Sequence, residues 1–346
     1  MFDLGYTLQI VILGTVFLGA ISGILGTFVV LRNQALIGDA LSHATLPGIM
    51  IAYMLTGVRS LQVLLLGAFI SALVAMFALN TIKKYTTIKF DASMALILSG
   101  FFGVGQVFLS QIQKTGGASQ AGLSRFILGQ AATMLRRDVY FIVIVALVVL
   151  LLLIVFWKEL KLYIFDENFY KASGLSERFI SGLLTMMVTF IIVIGIRLVG
   201  VILMSALIIA PPVAARQLSN RFYLNVGIAG FIGAVSGMTG TYLSATRANL
   251  PTGPVIALVL GGVVLLALLA SPRNGIVKRY VQIRIFRSRI KRYRKLIHLY
   301  ENPGEVNLDS KEYTYFINHD YVKVEDGALR VTSKGMKRIR SIKAVD

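Results

Sequence analysis

The sequence predicts an all-α polytopic membrane protein, and three observations support this fold class. Hydrophobic residues make up 56% of the 346 residues, whereas charged residues make up only 15%. The mean hydropathy of the chain is +0.75. Nine segments are candidates for spanning helices, since a span needs about 20 mostly apolar residues. A water-soluble domain of this length could not bury so much apolar surface, so soluble globular classes are excluded.

The nine candidate segments cover most of the first 271 residues. They lie at 7–31, 35–55, 61–80, 92–112, 139–157, 178–196, 198–217, 223–245 and 253–271. The sixth and seventh are nearly continuous, and one segment could be broken or re-entrant, so the sequence predicts eight or nine spans. The polar connection 113–138 contains a short apolar part, 126–129, that could dip into the bilayer.

Charge divides the chain into two predicted domains, a transmembrane domain at 1–272 and a basic module at 273–346. The module is about one fifth of the chain, yet it carries 18 of the 35 Lys and Arg residues. Basic residues also follow the third, fifth and seventh segments. Because cytoplasmic loops are enriched in Lys and Arg, we expect a cytoplasmic C-terminus and a multi-pass protein of the cell (plasma or inner) membrane.

The stretch LRNQALIGDALSHATLPGIMIAY, at 31–53, contains the residues most typical of a functional site. Asp39 and His43 are four residues apart, so they share one face of the second predicted helix. Ionisable side chains at membrane depth are costly and usually functional. A carboxylate oxygen and an imidazole nitrogen suit manganese, iron or zinc better than copper(I), which prefers sulfur. The chain has no cysteine, which excludes thiolate ligands and disulfides.

Pro47 follows His43 by one helical turn and has no N–H, so the carbonyl of His43 loses its usual donor. That oxygen could be a third ligand, or Pro47 and Gly48 could form a gate hinge. Three roles stay open for the Asp39 and His43 pair. The pair could bind a permeating cation, or it could relay protons. Alternatively, Asp39 could cap the helix after Gly38 while Ser42 and His43 bond to neighbouring helices. Two ligands are too few to hold an ion, so the cation hypothesis requires a two-fold dimer with four ligands at its axis.

The run GDALSHATLPG, at 38–48, resembles the signature of the permease subunits of ATP-binding-cassette (ABC) manganese, zinc and iron importers. That family has a matching Asp and His at its central metal site, which implies this role for Asp39 and His43. The run FDENFYKASGLS, at 165–176, is similar to the family's coupling helix, a short cytoplasmic element that sits in a cleft of the ATPase. The implied coupling residues are Asp166, Glu167, Phe169, Tyr170, Lys171, Ala172 and Gly174. Segments 208–219 and 240–259 also fit the family, and the resemblance covers about residues 5–272.

The resemblance implies the ABC metal-importer permease fold and three protein partners. These are a cytoplasmic ATPase, an extracytoplasmic metal-binding protein and a second permease chain, most simply an identical copy. No cofactor is expected to stay bound, and the transported ion is expected to be Mn²⁺, with Zn²⁺ and Fe²⁺ as alternatives, since zinc sites commonly recruit more His or Cys.

The chain lacks the G-x-x-x-x-G-K-[ST] phosphate loop, so we expect a transporter subunit whose partner hydrolyses ATP, not an enzyme. Two other functions stay open. One is a proton- or sodium-coupled secondary metal transporter, and the other is a membrane-anchored regulator that acts through residues 273–346.

Residues 273–346 depart from the family, whose typical members end shortly after the last span. The pattern predicts a basic helix at 287–300, a helix at 310–319, a hairpin around Asp326-Gly327 and a last helix at 332–342. This order resembles a reduced winged-helix module. We favour binding of its basic residues to anionic membrane lipids. Docking to the ATPase is an alternative, and DNA binding is the least expected because the module is tethered to a membrane.

Overall fold

The structure is a computed structural model that describes residues 6–58, 60–114, 136–246, 250–271, 275–302, 309–325 and 328–343. Contacts divide the chain into two compact units, Met1–Arg273 and Asn274–Asp346. Most of the predicted connection 113–138, including 126–129, lies outside the described residues, as does the Asp326-Gly327 turn.

The described part of the first unit is entirely helical, as the sequence predicts. Its helices are α1 (Tyr6–Leu31), α2 (Ile37–Thr56), α3 (Leu61–Tyr85), α4 (Phe90–Lys114), α5 (Arg136–Val155), α6 (Trp157–Phe165), α7 (Glu167–Ala172), α8 (Glu177–Val199), α9 (Val201–Leu218), α10 (Phe222–Ala245) and α11 (Thr252–Ala270).

Each of the nine predicted segments falls on one of these helices. Among the described residues, seven helices are long and apolar enough to cross a membrane, namely α1, α3, α4, α5, α8, α10 and α11. The other two predicted segments are α2, which carries Asp39 and His43, and α9, whose apolar stretch is shorter. The sixth and seventh segments separate at Gly200, whose φ of 83° is favoured by glycine and interrupts the helix between α8 and α9.

Close contacts between small residues hold the centre of the first unit together. Helix α1 packs along α10, where a Cβ on Gly19 would run into the carbonyl of Gly233, and one on Gly233 would run into that of Gly19. Such close approach of helix backbones is a common way to associate helices in lipid, where there is little hydrophobic driving force. Helix α2 packs against α3, α4 and α9, which encloses its first half.

A short capped helix lies between the spans α5 and α8, at the position of the coupling helix that the resemblance implies. The carboxylate of Asp166 accepts a hydrogen bond from the N–H of Phe169 at 2.9 Å and so caps the N-terminus of α7. Gly174, with a φ of 76°, turns the chain after α7, and Ser176 caps α8. Both ends of α7 are therefore fixed by local hydrogen bonds.

The second unit contains a helix, a helix, a two-stranded hairpin and a helix. These are α12 (Ile276–Glu301), α13 (Ser310–Asn318), β1 (Val322–Glu325), β2 (Ala328–Val331) and α14 (Ser333–Lys343). The strands are antiparallel, with Val322 opposite Val331. The expected start of the first helix at 287 is wrong, because no Gly or Pro interrupts 276–286 and the helix begins at Ile276. The likeness to a winged helix stays a prediction.

Candidate metal-binding site

Asp39 and His43 lie on the accessible strip of the first part of α2, which is otherwise enclosed. Within 37–50, a fully described stretch of α2, all residues except these two are buried. The side chain of Asp39 keeps 33% of its surface exposed and that of His43 keeps 22%. The sequence predicts that the two side chains share a face, and the packing of α2 makes this face the one through which residues 37–50 can be reached.

The two side chains present an oxygen and a nitrogen at a separation that suits a single ion. Nε2 of His43 lies 3.4 Å from Oδ1 of Asp39. Oxygen and nitrogen ligands at about 2.1 Å from a metal are about 3.4 Å apart in tetrahedral geometry and about 3.0 Å apart in octahedral geometry. The observed separation therefore falls at a value from which both atoms can contact one cation with little movement.

Two other helices orient this pair. The hydroxyl of Ser205 in α9 lies beside the carboxylate of Asp39 and stabilises its charge. The ring of Phe102 in α4 meets the imidazole of His43 edge to face, with 5.0 Å between ring centroids and 84° between planes. An aromatic wall on one side and a hydroxyl on the other restrict the rotamers that Asp39 and His43 can adopt.

Asp39 is not the cap of α2, which corrects one alternative from the sequence. The N-cap position is Leu36, so Asp39 is the third residue of the helix, and its carboxylate faces His43 and Ser205. Among the described residues, no group of three or more His, Asp or Glu side chains could hold a metal ion. One chain therefore offers two side-chain ligands in this part of the fold.

Helix α2 continues through Pro47 and Gly48. Pro47 deprives the carbonyl of His43 of its helical donor. The next carbonyl, of Ala44, accepts a hydrogen bond from the hydroxyl of Ser71 in α3 at 2.6 Å. Gly48 lies against the backbone of Gly67 in α3, so in this structure it serves close packing. Whether Pro47 and Gly48 also act as a gate hinge stays a prediction.

The predicted coupling segment combines a buried face with an exposed one. Tyr170 is buried, which raises the pKa of its hydroxyl, and it packs on Tyr163 of α6. Phe169 is 57% exposed, and Lys171, Ala172 and Gly174 are exposed as well. An exposed aromatic ring on a short, rigid turn is typical of a surface that docks on another protein.

Charged side chains surround the same segment. Lys171 contacts Glu167 at 2.7 Å and Glu177 at 3.0 Å. The hydrogen bond from Lys171 lowers the pKa of Glu167 against the opposing effect of burial, and the charges of Arg32 and Lys83 lower it further. The same hydrogen bond raises the pKa of Lys171. Glu167 and Lys171 are therefore both charged at neutral pH.

Sequence reasoning missed four residues that contact these sites, namely Phe102, Ser205, Ser71 and Arg32. All four act between different elements of the fold, at separations that include 27 positions for Ser71 and Ala44 and 135 positions for Arg32 and Glu167. One signal was available for Ser71, because it follows Gly67 by four residues, a spacing of small residues that is typical of helix contacts in membranes. No local pattern points to the other three.

Comparison with known proteins decides the family. The sequence model of the ABC 3 transport family matches residues 5–271, which is most of the chain. The chain belongs to the ABC 3 transport family. The membership confirms the resemblance drawn from residues 38–48 and 165–176.

Two curated relatives and one solved structure are similar to this ABC 3 family member. It is 47% identical over 272 residues to the zinc transport system membrane protein TroC of Treponema pallidum, covering 79% of this chain and 91% of TroC. It is 41% identical over 300 residues to the manganese transport system membrane protein MntC of Bacillus subtilis, covering 87% of this chain and 69% of MntC. The structure of PsaBC from Streptococcus pneumoniae in complex with Fab matches with a TM-score of 0.69 and 26% identity, over 81% of this chain and 95% of that chain.

The chain is therefore a multi-pass membrane permease subunit of an ABC metal importer. It is not an enzyme, since in this family ATP hydrolysis belongs to a separate ATPase. Membership of this family does not favour the two alternative functions, a secondary transporter and a membrane-anchored regulator. The relatives named here transport different metals, so family membership establishes metal transport and leaves the particular metal to the chemistry of the site.

Proposed function

We propose that this permease carries Mn²⁺ into the cytoplasm through a site formed by Asp39 and His43. The observation that carries the proposal is the 3.4 Å separation of a carboxylate oxygen and an imidazole nitrogen on the accessible strip of α2. This ligand pair, with no cysteine in the chain, suits manganese or ferrous iron and is a sparse set for zinc.

The complete site requires a second copy of the chain. Two symmetry-related Asp39 and His43 pairs supply four ligands, whereas the described residues of one copy supply two. A homodimer with its axis beside the accessible strip of α2 meets this requirement in the simplest way. The ion would bind between the two copies, and the proline-containing part of α2, at Pro47 and Gly48, would change its packing as the gate opens and closes.

The segment from Asp166 to Gly174 docks on the partner ATPase. The exposed ring of Phe169, on a helix that is capped at both ends, supports this role, because a rigid protruding element transmits force better than a flexible loop. A metal-binding protein outside the cell delivers the ion, and the family membership supports both partners. The C-terminus lies in the cytoplasm, which the distribution of Lys and Arg supports.

The second unit binds the anionic surface of the membrane through α12. Exposed basic and apolar side chains alternate along 276–285, and α12 begins six residues after α11 ends. Apolar side chains can enter the headgroup region while Lys and Arg contact lipid phosphates. DNA binding is less consistent with a helix that follows a membrane span so closely.

Reconstitution tests the transport function directly. The permease, its ATPase and its metal-binding protein are placed in vesicles, and ATP hydrolysis and ion uptake are measured with Mn²⁺, Zn²⁺ and Fe²⁺. We expect Mn²⁺ to give the strongest stimulation of hydrolysis, and uptake to require the ATPase. Stronger stimulation of hydrolysis by Zn²⁺ would overturn the choice of manganese but not the importer function. Uptake that persists without the ATPase would overturn the importer function.

A further inference from the structure

Arg32 is an arginine with little access to solvent in the connection between α1 and α2. Its side chain is 9% exposed, and its partners come from α6 and α7, which lie more than 130 residues further along the chain. A buried guanidinium is expensive unless its charge and its N–H groups are matched. The contacts of Arg32 therefore indicate a specific role.

The guanidinium of Arg32 makes two different contacts at once. It donates a hydrogen bond from Nη2 to Oε2 of Glu167 at 3.2 Å. Its central carbon lies 3.8 Å from the ring centroid of Tyr163, which is 1% exposed. A planar, delocalised cation can stack on a ring and pair with a carboxylate together, which the compact ammonium of lysine does poorly.

The connection that carries Arg32 is short and held by backbone hydrogen bonds. The N–H of Asn33 donates to the carbonyl of Val30, and that of Gln34 donates to Val29, both at 3.1 Å. The N–H of Ile37 then donates to Gln34 at 2.9 Å, where α2 begins. Asn33 has a φ of 57°, which is typical of a tight turn. A displacement of Arg32 is therefore passed to the start of α2, two residues before Asp39.

We propose that Arg32 is a positioning residue that transmits movement of the coupling segment to the helix that carries the metal ligands. The inference rests on the proposed function and identifies the contacts through which movement passes from α7 to α2. Movement of α7 on the ATPase displaces Glu167, Glu167 displaces Arg32, and the rigid connection moves the start of α2 with Asp39. Tyr163 holds the guanidinium in the orientation in which it contacts Glu167.

Removal of Arg32 leaves α7 with its other supports, which makes the variant informative. Lys171 still pairs with Glu167, and Asp166 still caps the helix. The docking surface for the ATPase is therefore expected to stay folded in Arg32→Gln. What this variant loses is the link between α7 and the α1–α2 connection.

The test compares Arg32→Gln and Arg32→Lys with the wild type in the reconstituted complex, with Mn²⁺ as the ion. Lys158→Ala is the matched control, because it removes one exposed positive charge from α6, the helix of Tyr163. We expect Arg32→Gln to keep complex assembly and basal ATP hydrolysis while the number of ions imported per ATP falls by about tenfold. Arg32→Lys, which keeps the charge and loses the planar stack, should be intermediate, and Lys158→Ala should match the wild type.

If Arg32→Gln imports as many ions per ATP as the wild type, the proposal is overturned and the proposed function stands. Equal losses of assembly, basal hydrolysis and uptake would also overturn it, because they indicate a purely structural role. If Arg32→Gln fails to reach the membrane, Arg32→Lys decides, and wild-type coupling in that variant would contradict the stacked geometry. A wild-type complex without metal-stimulated hydrolysis would instead overturn the proposed function.

Discussion

Gly48 of α2 and Gly67 of α3 meet backbone to backbone. A Cβ on Gly48 would run into the carbonyl oxygen of Gly67, and one on Gly67 would run into that of Gly48. The hydroxyl of Ser71, one turn along α3, donates to the carbonyl of Ala44 and closes the same interface. The contact lies five residues after His43, so it sets the distance between the accessible strip of α2 and the neighbouring helix.

Gly48→Ala should separate α2 from α3 and displace Asp39 and His43, the proposed metal ligands. Forcing one carbon into a well-packed contact costs about 1–3 kcal/mol of folding stability. We expect a lower unfolding temperature in detergent and reduced Mn²⁺ uptake in vesicles. Gly103→Ala in α4 is the matched control, since a Cβ there meets nothing within 4 Å. Unchanged unfolding and uptake in Gly48→Ala would show that the interface can relax.

Asp39→Ala and His43→Ala should each lower metal uptake by at least about 10- to 100-fold while the protein stays in the membrane. In the proposed dimer, either change removes two of the four side-chain ligands, and even the loss of a residue that only supports a ligand commonly costs that much. Uptake and metal-dependent growth are measured, and the amount of protein in the membrane is determined for each variant.

Ser42→Ala is the control for these two variants. Ser42 is buried on the same helix, and its hydroxyl donates to the carbonyl of Gly38 at 2.6 Å, so its loss changes α2 without removing a ligand. We expect near-normal uptake in this variant. Normal uptake by Asp39→Ala or His43→Ala would instead assign the pair a structural role in the helix.

The parts of the site that lie within one segment could be predicted from the sequence. Asp39 and His43 are one helical turn apart, and the cap by Asp166 spans three residues, so local periodicity and local hydrogen bonds are sufficient. The contacts of Phe102 and Ser205 depend on how α4 and α9 pack against α2. A single sequence carries no direct record of such packing, because many arrangements of apolar helices bury similar surface.

The helix boundary excludes one alternative that the sequence left open. The sequence allowed Asp39 as a cap because Gly38 precedes it and acids are common at helix starts. The helix instead begins at Ile37, with Leu36 at the N-cap, as α2 packs against α3, α4 and α9. The boundary follows the turn before α2, where the N–H of Ile37 donates to the carbonyl of Gln34, and no side chain caps the helix.

Phe102→Leu should weaken the apparent affinity for the transported ion. The variant keeps much of the apolar volume but loses the edge-to-face contact with His43, which is worth about 0.5–1.5 kcal/mol for an aromatic pair. The imidazole then samples more rotamers, and the half-saturating Mn²⁺ concentration should rise by about 2- to 10-fold. The concentration dependence of uptake in vesicles measures this value.

Phe69→Leu is the comparison for Phe102→Leu. It also removes an aromatic pair, because Phe69 stacks on Phe190 with 4.7 Å between centroids, but this pair lies between α3 and α8, whereas the ring contact of His43 is with Phe102. We expect its half-saturating concentration to match the wild type. Equal shifts in both variants would mean that general loosening of the bundle, not the orientation of His43, determines the affinity.

Neutralising the start of α12 should release this helix from anionic lipid. The variant replaces four exposed basic residues with Gln: Lys278, Arg279, Arg284 and Arg287. Each Lys or Arg near an anionic surface contributes about 1 kcal/mol, so the combined loss is large, and the interaction also weakens with salt. Trypsin cleavage within 289–295 provides the measurement, because these basic residues stay in the variant. We expect protection of the wild type in anionic vesicles and rapid cleavage in neutral ones.

A charge-matched control separates the lipid contact from a general effect of charge. It replaces four exposed basic residues elsewhere in the second unit: Lys323, Lys334, Lys337 and Arg340. This control should keep the protection in anionic vesicles, whereas the α12 variant should lose it. Protection that requires the bound ATPase and not anionic lipid would point to the ATPase as the partner of α12.

Deletion of 280–346 should leave Mn²⁺ uptake in place, because the proposed metal site and the coupling segment lie in the first unit. Loss of uptake on deletion, at normal membrane levels, would make the second unit part of the transport machinery.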